Sequence, residues 1–286
     1  MASNQFPLLK IIKAFTALIV LPVLLMAALP ATFVQDQPDS TRAKRDDNDG
    51  PNRIRTVVID AGHGGKDPGC MTRRHRESRI VLKIALQLAR DIKREMPKTR
   101  VIMTRATDHF VELAERGAIA NRNKADLFIS IHVNASPSSK AVHGTETYTM
   151  GLHKTEGNLD VAKRENAVIL QEANYRQTYK GFNPESPLAH IMLANYQNAF
   201  MGSSINFAEK IERSFRQNAD RKSHGVKQAG FVVLWRTTMP SVLIETGYLT
   251  NPAEEIYLAS EDGQQEIALA IYKAFAQYKD EMESAN

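Results

Sequence analysis

The chain has 286 residues, 43% hydrophobic and 24% charged, which supplies enough apolar side chain for a buried core and excludes a disordered or fibrous protein. Its formal charge of +5 includes Lys10 and Lys13. Without that pair, 35 basic residues stand against 32 acidic ones, and the remaining +3 gives no support to obligate nucleic-acid binding. The single cysteine, Cys70, excludes intramolecular disulfides and any CxxC metal or redox motif.

At the N-terminus, Lys10 and Lys13 precede an uncharged stretch from Ala14 to Val34. This pattern reads as an export signal, and the run is also long enough to cross a bilayer. Residues 1–34 are therefore expected to be either a cleaved signal peptide or a membrane anchor through residues 14–34. The basic flank would stay in the cytoplasm, with the rest exported to the periplasm or cell envelope. Pro22 and Pro30 interrupt the run and no polar face exists, which argues against a buried core helix. Residues 35–53 are polar, carry Pro38, Gly50 and Pro51 and lack an apolar period, as expected of a solvated linker. No repeat or second linker follows, so residues 54–286 are expected to form one domain of catalytic size.

Within that domain, Arg55–Asp60 reads as a buried strand ending in Gly-His-Gly-Gly. Ile80, Ile84, Leu88 and Ile92 mark the inner face of a helix that Pro97 closes. A strand at Arg100–Thr104, a helix over about Val111–Lys124 and a strand at Leu127–Val133 follow. Gly144–Met150 is a further strand, and about 158–216 reads as mostly helical. Phe231–Leu234 and Ser241–Ile244 return to strand, and the last helix places Ile267, Ile271, Phe275 and Tyr278 on one side. The expected fold class is α/β, a sheet with helices on its faces.

Ligands in open α/β sheets bind outside the carboxyl ends of strands. Three such ends carry chemistry: Asp60-Ala-Gly-His63, Ser130-Ile-His132-Val-Asn134 and Leu243-Ile-Glu245-Thr-Gly247. Glu77, at the start of the first helix, faces the same rim. Two imidazoles and a carboxylate around a metal, with a further carboxylate beside an open position, suit a hydrolytic zinc site. Read singly, each residue also has an ordinary structural explanation, such as a turn histidine or an acid at a helix N-terminus. Glu245 resists that explanation, because so apolar a strand does not normally end in an unpaired acid.

Together, Val57-Val-Ile-Asp-Ala-Gly-His-Gly-Gly-Lys-Asp-Pro-Gly69, the Glu77 helix, Ser130-Ile-His-Val-Asn-Ala135 and Pro240-Ser-Val-Leu-Ile-Glu-Thr-Gly-Tyr-Leu-Thr-Asn251 resemble the zinc-dependent N-acetylmuramoyl-L-alanine amidases of bacterial cell walls, in motif and in order. The resemblance implies a mixed, mainly parallel twisted sheet flanked by helices, and one zinc ion held by His63, Glu77 and His132, with Glu245 as catalytic acid/base. The bond cleaved would be the amide between N-acetylmuramic acid and L-alanine in peptidoglycan. Asp60 is a candidate for orienting a ligand histidine, with a turn-forming role as the alternative. Asn134 is expected to hold the loop after His132. Cys70 is expected not to ligate, since a fourth protein ligand would close the site. The other histidines are expected at the surface.

The long helical insertion, at about 152–218, resembles that of cell-division members, in which an inserted helix lies over the active site and supplies a glutamate to the zinc until a partner protein removes it. Val161-Ala-Lys-Arg-Glu165-Asn-Ala resembles that helix, so Glu165 is the candidate blocking ligand, with Glu172 and Glu156 as alternatives. The implied partner is an activator. Ile191, Met192, Leu193 and Tyr196 either dock it or pack the insertion onto the domain. Two other readings remain at this stage: a non-catalytic peptidoglycan-binding or regulatory protein of the same fold, and a zinc peptidase or deacylase acting on another exported amide.

Overall fold

A computed structural model describes residues 53–195 and 199–284. The expected signal or anchor, the linker up to residue 52 and Tyr196 lie outside the described residues. Among those described, no helix is long and apolar enough to cross a membrane.

A strand buried on both faces reads as a continuous apolar run. Strands β1 (Thr56–Ala61) and β3 (Leu127–Asn134) are of this kind, every residue of each being buried. With β2 (Arg100–Met103), β4 (Thr145–Met150), β5 (Ser223–Ala229) and β6 (Ser241–Tyr248) they form a six-stranded sheet in the order β2-β1-β3-β6-β4-β5. All neighbours pair in parallel except β4 with β6, which are antiparallel.

Side chains alternate across the sheet. Val57 and Ile59 enter one core with the inner faces of α1 (Glu77–Glu95), α6 (Met201–Asn218) and α9 (Glu261–Ser284), where Ile84, Leu88, Ile211, Phe215, Ile271 and Phe275 are fully buried. Val58 faces the opposite core with Phe128, Leu243 and the apolar residues of α2 (Leu113–Arg122). This two-layer burial is the α/β arrangement that the sequence pattern implies. A short helix α8 (Pro252–Ala259), capped by Asn251, follows β6.

Two segments depart from expectation. Phe231–Leu234 is not a strand: Val232–Trp235 forms a helical turn, α7, whose Val232 N–H is capped by Asn166 Oδ1 at 2.8 Å. A four-residue apolar run has no period that separates a buried strand from a buried helical turn. The sixth strand is instead Ser223–Ala229, a polar, half-buried edge whose pattern carries almost no apolar signal.

The insertion is a series of short helices. It begins with α3 (Glu156–Asn166), capped where Thr155 Oγ1 accepts from the Asn158 N–H. A 3-10 turn (Ala167–Gln171), α4 (Tyr175–Thr178) and α5 (Pro187–Ala194) lead to α6. Val161 and Ala162 of α3 join the second core, and Asn166 at its end donates to the Gly230 carbonyl at 2.7 Å. These contacts fix α3 over the carboxyl ends of β3 and β6.

Candidate metal centre

His63 projects just beyond β1, His132 lies near the carboxyl end of β3, Glu77 opens α1, and Glu165 is in the last turn of α3. All four are buried, and one ligand atom from each lies within 4.8 Å of all the others. Glu77 Oε1 is 3.0 Å from His63 Nε2 and 3.2 Å from His132 Nδ1; Glu165 Oε2 is 3.2 Å and 3.0 Å from the same two nitrogens.

Ligand bonds of about 2.0 Å in a tetrahedron put neighbouring donors about 3.3 Å apart, close to these four spacings. His63 Nε2 and Glu165 Oε2 are also buried with no partner in hydrogen-bonding geometry. An orphaned imidazole nitrogen facing an orphaned carboxylate oxygen fits a site built around a cation, and the two-imidazole, two-carboxylate donor set is one that zinc accepts.

The backbone is shaped for this convergence. His63 adopts φ of 59°, a left-handed conformation that a non-glycine residue adopts at a cost of roughly 1 kcal/mol or more. A Cβ at Gly62 would lie 2.4 Å from the His132 ring, and one at Gly69, itself at φ of 67°, 2.5 Å from Glu77 Oε2. Two buried arginines hold the loop from below. Arg105 donates to the carbonyls of Ala61, Gly62 and Ser78 at 2.7–2.8 Å. Arg116 donates to the carbonyls of Ala61 and His63, both at 2.8 Å, and to Val111 at 3.1 Å.

Asp60 does not sit on a histidine ring. Its carboxylate accepts from Thr104 (2.6 Å), Ser130 (2.7 Å) and Arg116 (2.8 Å), so it reaches His63 only through the Arg116 contact to that residue's carbonyl. The acid beside the ring is Asp67, 2.7 Å from His63 Nδ1, which directs Nε2 towards the other three residues of the group. Asp67 lies within the Gly-Gly-Lys-Asp-Pro-Gly stretch, and the strand-end argument alone gives it no role. Arg116 left a readable trace, because it occupies a place in the inner-face series Leu113, Arg116, Gly117, Ala120, where a charge demands a buried partner.

Glu245 is fully buried and stands opposite His132 in the β3–β6 register. Its Oε2 has no partner, and its Oε1 is 3.5 Å from Arg164 Nη2. Burial and then the nearby Glu165 charge push its carboxyl well above the ordinary range. Burial acts in the same direction on Glu77 and Glu165. There the facing histidines outweigh it, Arg164 adding to the effect on Glu165, and both carboxylates stay ionised. Burial opposes protonation of His132, yet Glu165 and Glu77 raise it to about 9.

Asn134 holds the loop as expected: its amide donates to Glu146 and its oxygen accepts from the Ala135 N–H at 2.7 Å. The Cys70 thiol faces the Val133 carbonyl at 3.1 Å and lies outside the four-residue group. Glu172 also lies outside that group, bound to the Leu113 N–H and the Tyr179 hydroxyl, and Glu156 is exposed at the start of α3. His190 is fully buried rather than at the surface, its Nε2 2.8 Å from the Pro184 carbonyl. Leu193 is buried, while Ile191 and Met192 are exposed.

The family model for N-acetylmuramoyl-L-alanine amidase matches residues 57–277. The amidase AmiC of Escherichia coli O6:H1 is 30% identical over 247 residues, covering 85% of this chain and 56% of its own length. This chain thus spans little more than half of that relative. AmiA of Escherichia coli K12 is 30% identical over 78% of this chain and 76% of its own. Among solved structures, the catalytic domain of the amidase CwlV from Bacillus (Paenibacillus) polymyxa var. colistinus superposes with a TM-score of 0.58 at 31% identity, covering 79% of this chain and 99% of that one.

Proposed function

The chain belongs to the N-acetylmuramoyl-L-alanine amidase family, and we propose that it is a zinc-dependent member, held inactive by its own insertion, that cuts the amide between N-acetylmuramic acid and L-alanine in peptidoglycan. In this reading residues 54–286 are the catalytic domain, with the insertion at about 152–218. Residues 1–34 export it, as a cleaved signal or as an anchor, to the periplasm or cell envelope. There it remodels the wall as daughter cells separate.

His63, Glu77 and His132 hold the ion, and Glu245 is the acid/base. A bound zinc ion supplies Lewis acidity to the scissile carbonyl and to attacking water. The raised proton affinity of Glu245 suits it to take the proton from that water and pass it to the departing amine. Asp67 keeps the His63 ring oriented, and Arg105 and Arg116 fix the backbone that carries it.

The observation that carries the autoinhibited reading is the place of Glu165, whose Oε2 lies 3.0–3.2 Å from the same imidazole nitrogens that Glu77 meets. In a group whose four members are all buried, it would fill the fourth position that a hydrolytic zinc site leaves open. Release requires a partner with higher affinity for the displaced insertion than for the closed one. Leu188, Ile191 and Met192 of α5 are the apolar residues exposed for such an activator.

The test is mass spectrometry of peptidoglycan digested by the zinc-loaded full chain, beside Glu245→Ala and Glu165→Ala variants. Stem peptides beginning with L-alanine are expected to vanish with the first and increase with the second. Cleavage at a different amide would favour the peptidase or deacylase reading. Absence of any release, with candidate activators added, would favour a non-catalytic wall-binding protein.

A further inference from the structure

The helix that carries Glu165 brings a second group to the reaction centre. The preceding residue, Arg164, has a side chain 30% exposed, and its guanidinium reaches four oxygens. Nε donates to Glu165 Oε1 at 3.0 Å, Nη2 to Asn134 Oδ1 at 2.8 Å and to Glu245 Oε1 at 3.5 Å, and Nη1 to the Ala135 carbonyl at 3.4 Å. Asn134 and Glu245 are fully buried, and Arg164 is the donor that faces Glu245 Oε1. If α3 leaves, three oxygen acceptors on β3, its following loop and β6 lose a donor at the same moment. Asn134 Oδ1 keeps the Ala135 N–H, but the fully buried Glu245 Oε1 is left without the donor that faces it, and a buried acceptor requires a replacement.

The replacement has a recognisable chemistry. Side by side, Arg164 and Glu165 present N–H donors to Asn134, Ala135 and Glu245 and an oxygen to the two imidazoles. An amide substrate presents the same pair, a carbonyl oxygen on one side of the bond and N–H groups on the other. We propose that Asn134 Oδ1, the Ala135 carbonyl and Glu245 Oε1 form the subsite that receives the N–H groups on the amine side of the scissile amide, and that Arg164 is their stand-in in the closed enzyme. This rests on the amidase reading and extends it. The insertion then blocks two points at once, the carbonyl side through Glu165 and the amine side through Arg164. The planar fork of arginine, unlike the point charge of lysine, can span acceptors on separate elements.

The experiment uses the full-length zinc-loaded chain, a soluble muropeptide substrate and methylguanidinium chloride as probe. Arg164→Ala is expected to raise basal kcat/KM about tenfold or more. In that variant, tens of millimolar methylguanidinium should raise KM several-fold and leave kcat unchanged. Methylammonium, or sodium chloride at equal ionic strength, should do neither, and the wild-type chain, whose subsite is filled, should not respond. The same probe should raise the Tm of zinc-free Arg164→Ala by about 2 °C. Arg164→Lys, which keeps the stem and charge, should show intermediate basal activity and provides a second variant if the first folds poorly. A gain in activity without guanidinium competition would make Arg164 only an anchor for the helix and overturn the subsite, as would a fall in kcat at unchanged KM. If neither Arg164→Ala nor Glu165→Ala releases peptide, the amidase reading itself fails and this inference falls with it; unchanged KM in a variant that turns over refutes this inference alone.

Discussion

Replacing Arg116 with leucine tests whether the loop that carries His63 depends on a buried ion pair beneath it. Arg116 and Asp60 are 1% and 0% exposed and meet at 2.8 Å, and the same guanidinium serves the carbonyls of Ala61, His63 and Val111. Removing one partner of a buried pair leaves the other charge uncompensated and costs roughly 3–5 kcal/mol. For a domain of this size each kcal/mol lowers Tm by roughly 2–4 °C, so Arg116→Leu should melt about 10 °C lower in the zinc-free chain. In the wild type, burial raises the Asp60 pKa but Arg116, with Thr104 and Ser130, brings it below the ordinary value. A depressed carboxyl contributes stability above its unfolded pKa, and that contribution is lost as the pH falls through the folded pKa. Without Arg116 the burial effect dominates and the sign reverses, so the gap between variant and wild type should narrow as the medium is acidified. Asp60→Asn combined with Arg116→Leu removes the stranded charge and should recover part of the loss. Thermal and urea unfolding at several pH values give the answer. A drop below about 2 °C, or a double variant less stable than Arg116→Leu alone, would refute the argument.

Gly62→Ala and Gly69→Ala should each weaken metal retention at least tenfold without unfolding the sheet, since the added Cβ meets the His132 ring in one case and the Glu77 carboxylate in the other; metal titration with parallel circular dichroism measures both. Asp67→Asn should reduce metal affinity roughly 10–100-fold while Glu245 and the cleft stay intact, as seen in competition with a chelator. Burial raises the Glu212 carboxyl against its bonds to Ser223, Thr147 and Thr145. Its contribution to stability is therefore greatest in acid and declines as pH rises from the unfolded pKa to the raised folded one, so Glu212→Gln should flatten stability against pH across that window.

Much of the centre was legible because its chemistry is tied to strand ends. The apolar runs before His63, His132 and Glu245 announce parallel strands, and strands of that kind bring their carboxyl ends to one rim. The long helical insertion was visible too, although its division into short helices was not. Less legible were residues whose roles depend on what folds beside them. Asp67 gains its role from a turn that presents it to His63 Nδ1, and the polar edge strand β5 gains its place only from β4 beside it.

The sequence by itself determined the α/β class and the family motifs, and it singled out His63, Glu77, His132 and Glu245 as candidates, because local periodicity and strand-end chemistry are written along the chain. Only the tertiary structure decided that Glu165, rather than Glu172 or Glu156, meets the two imidazoles, and that Arg164 comes with it to Glu245. All three glutamates lie in one helical insertion of similar composition. Which of them enters the centre depends on how α3 docks through Val161, Ala162 and Asn166, a packing choice made by residues distant in the chain.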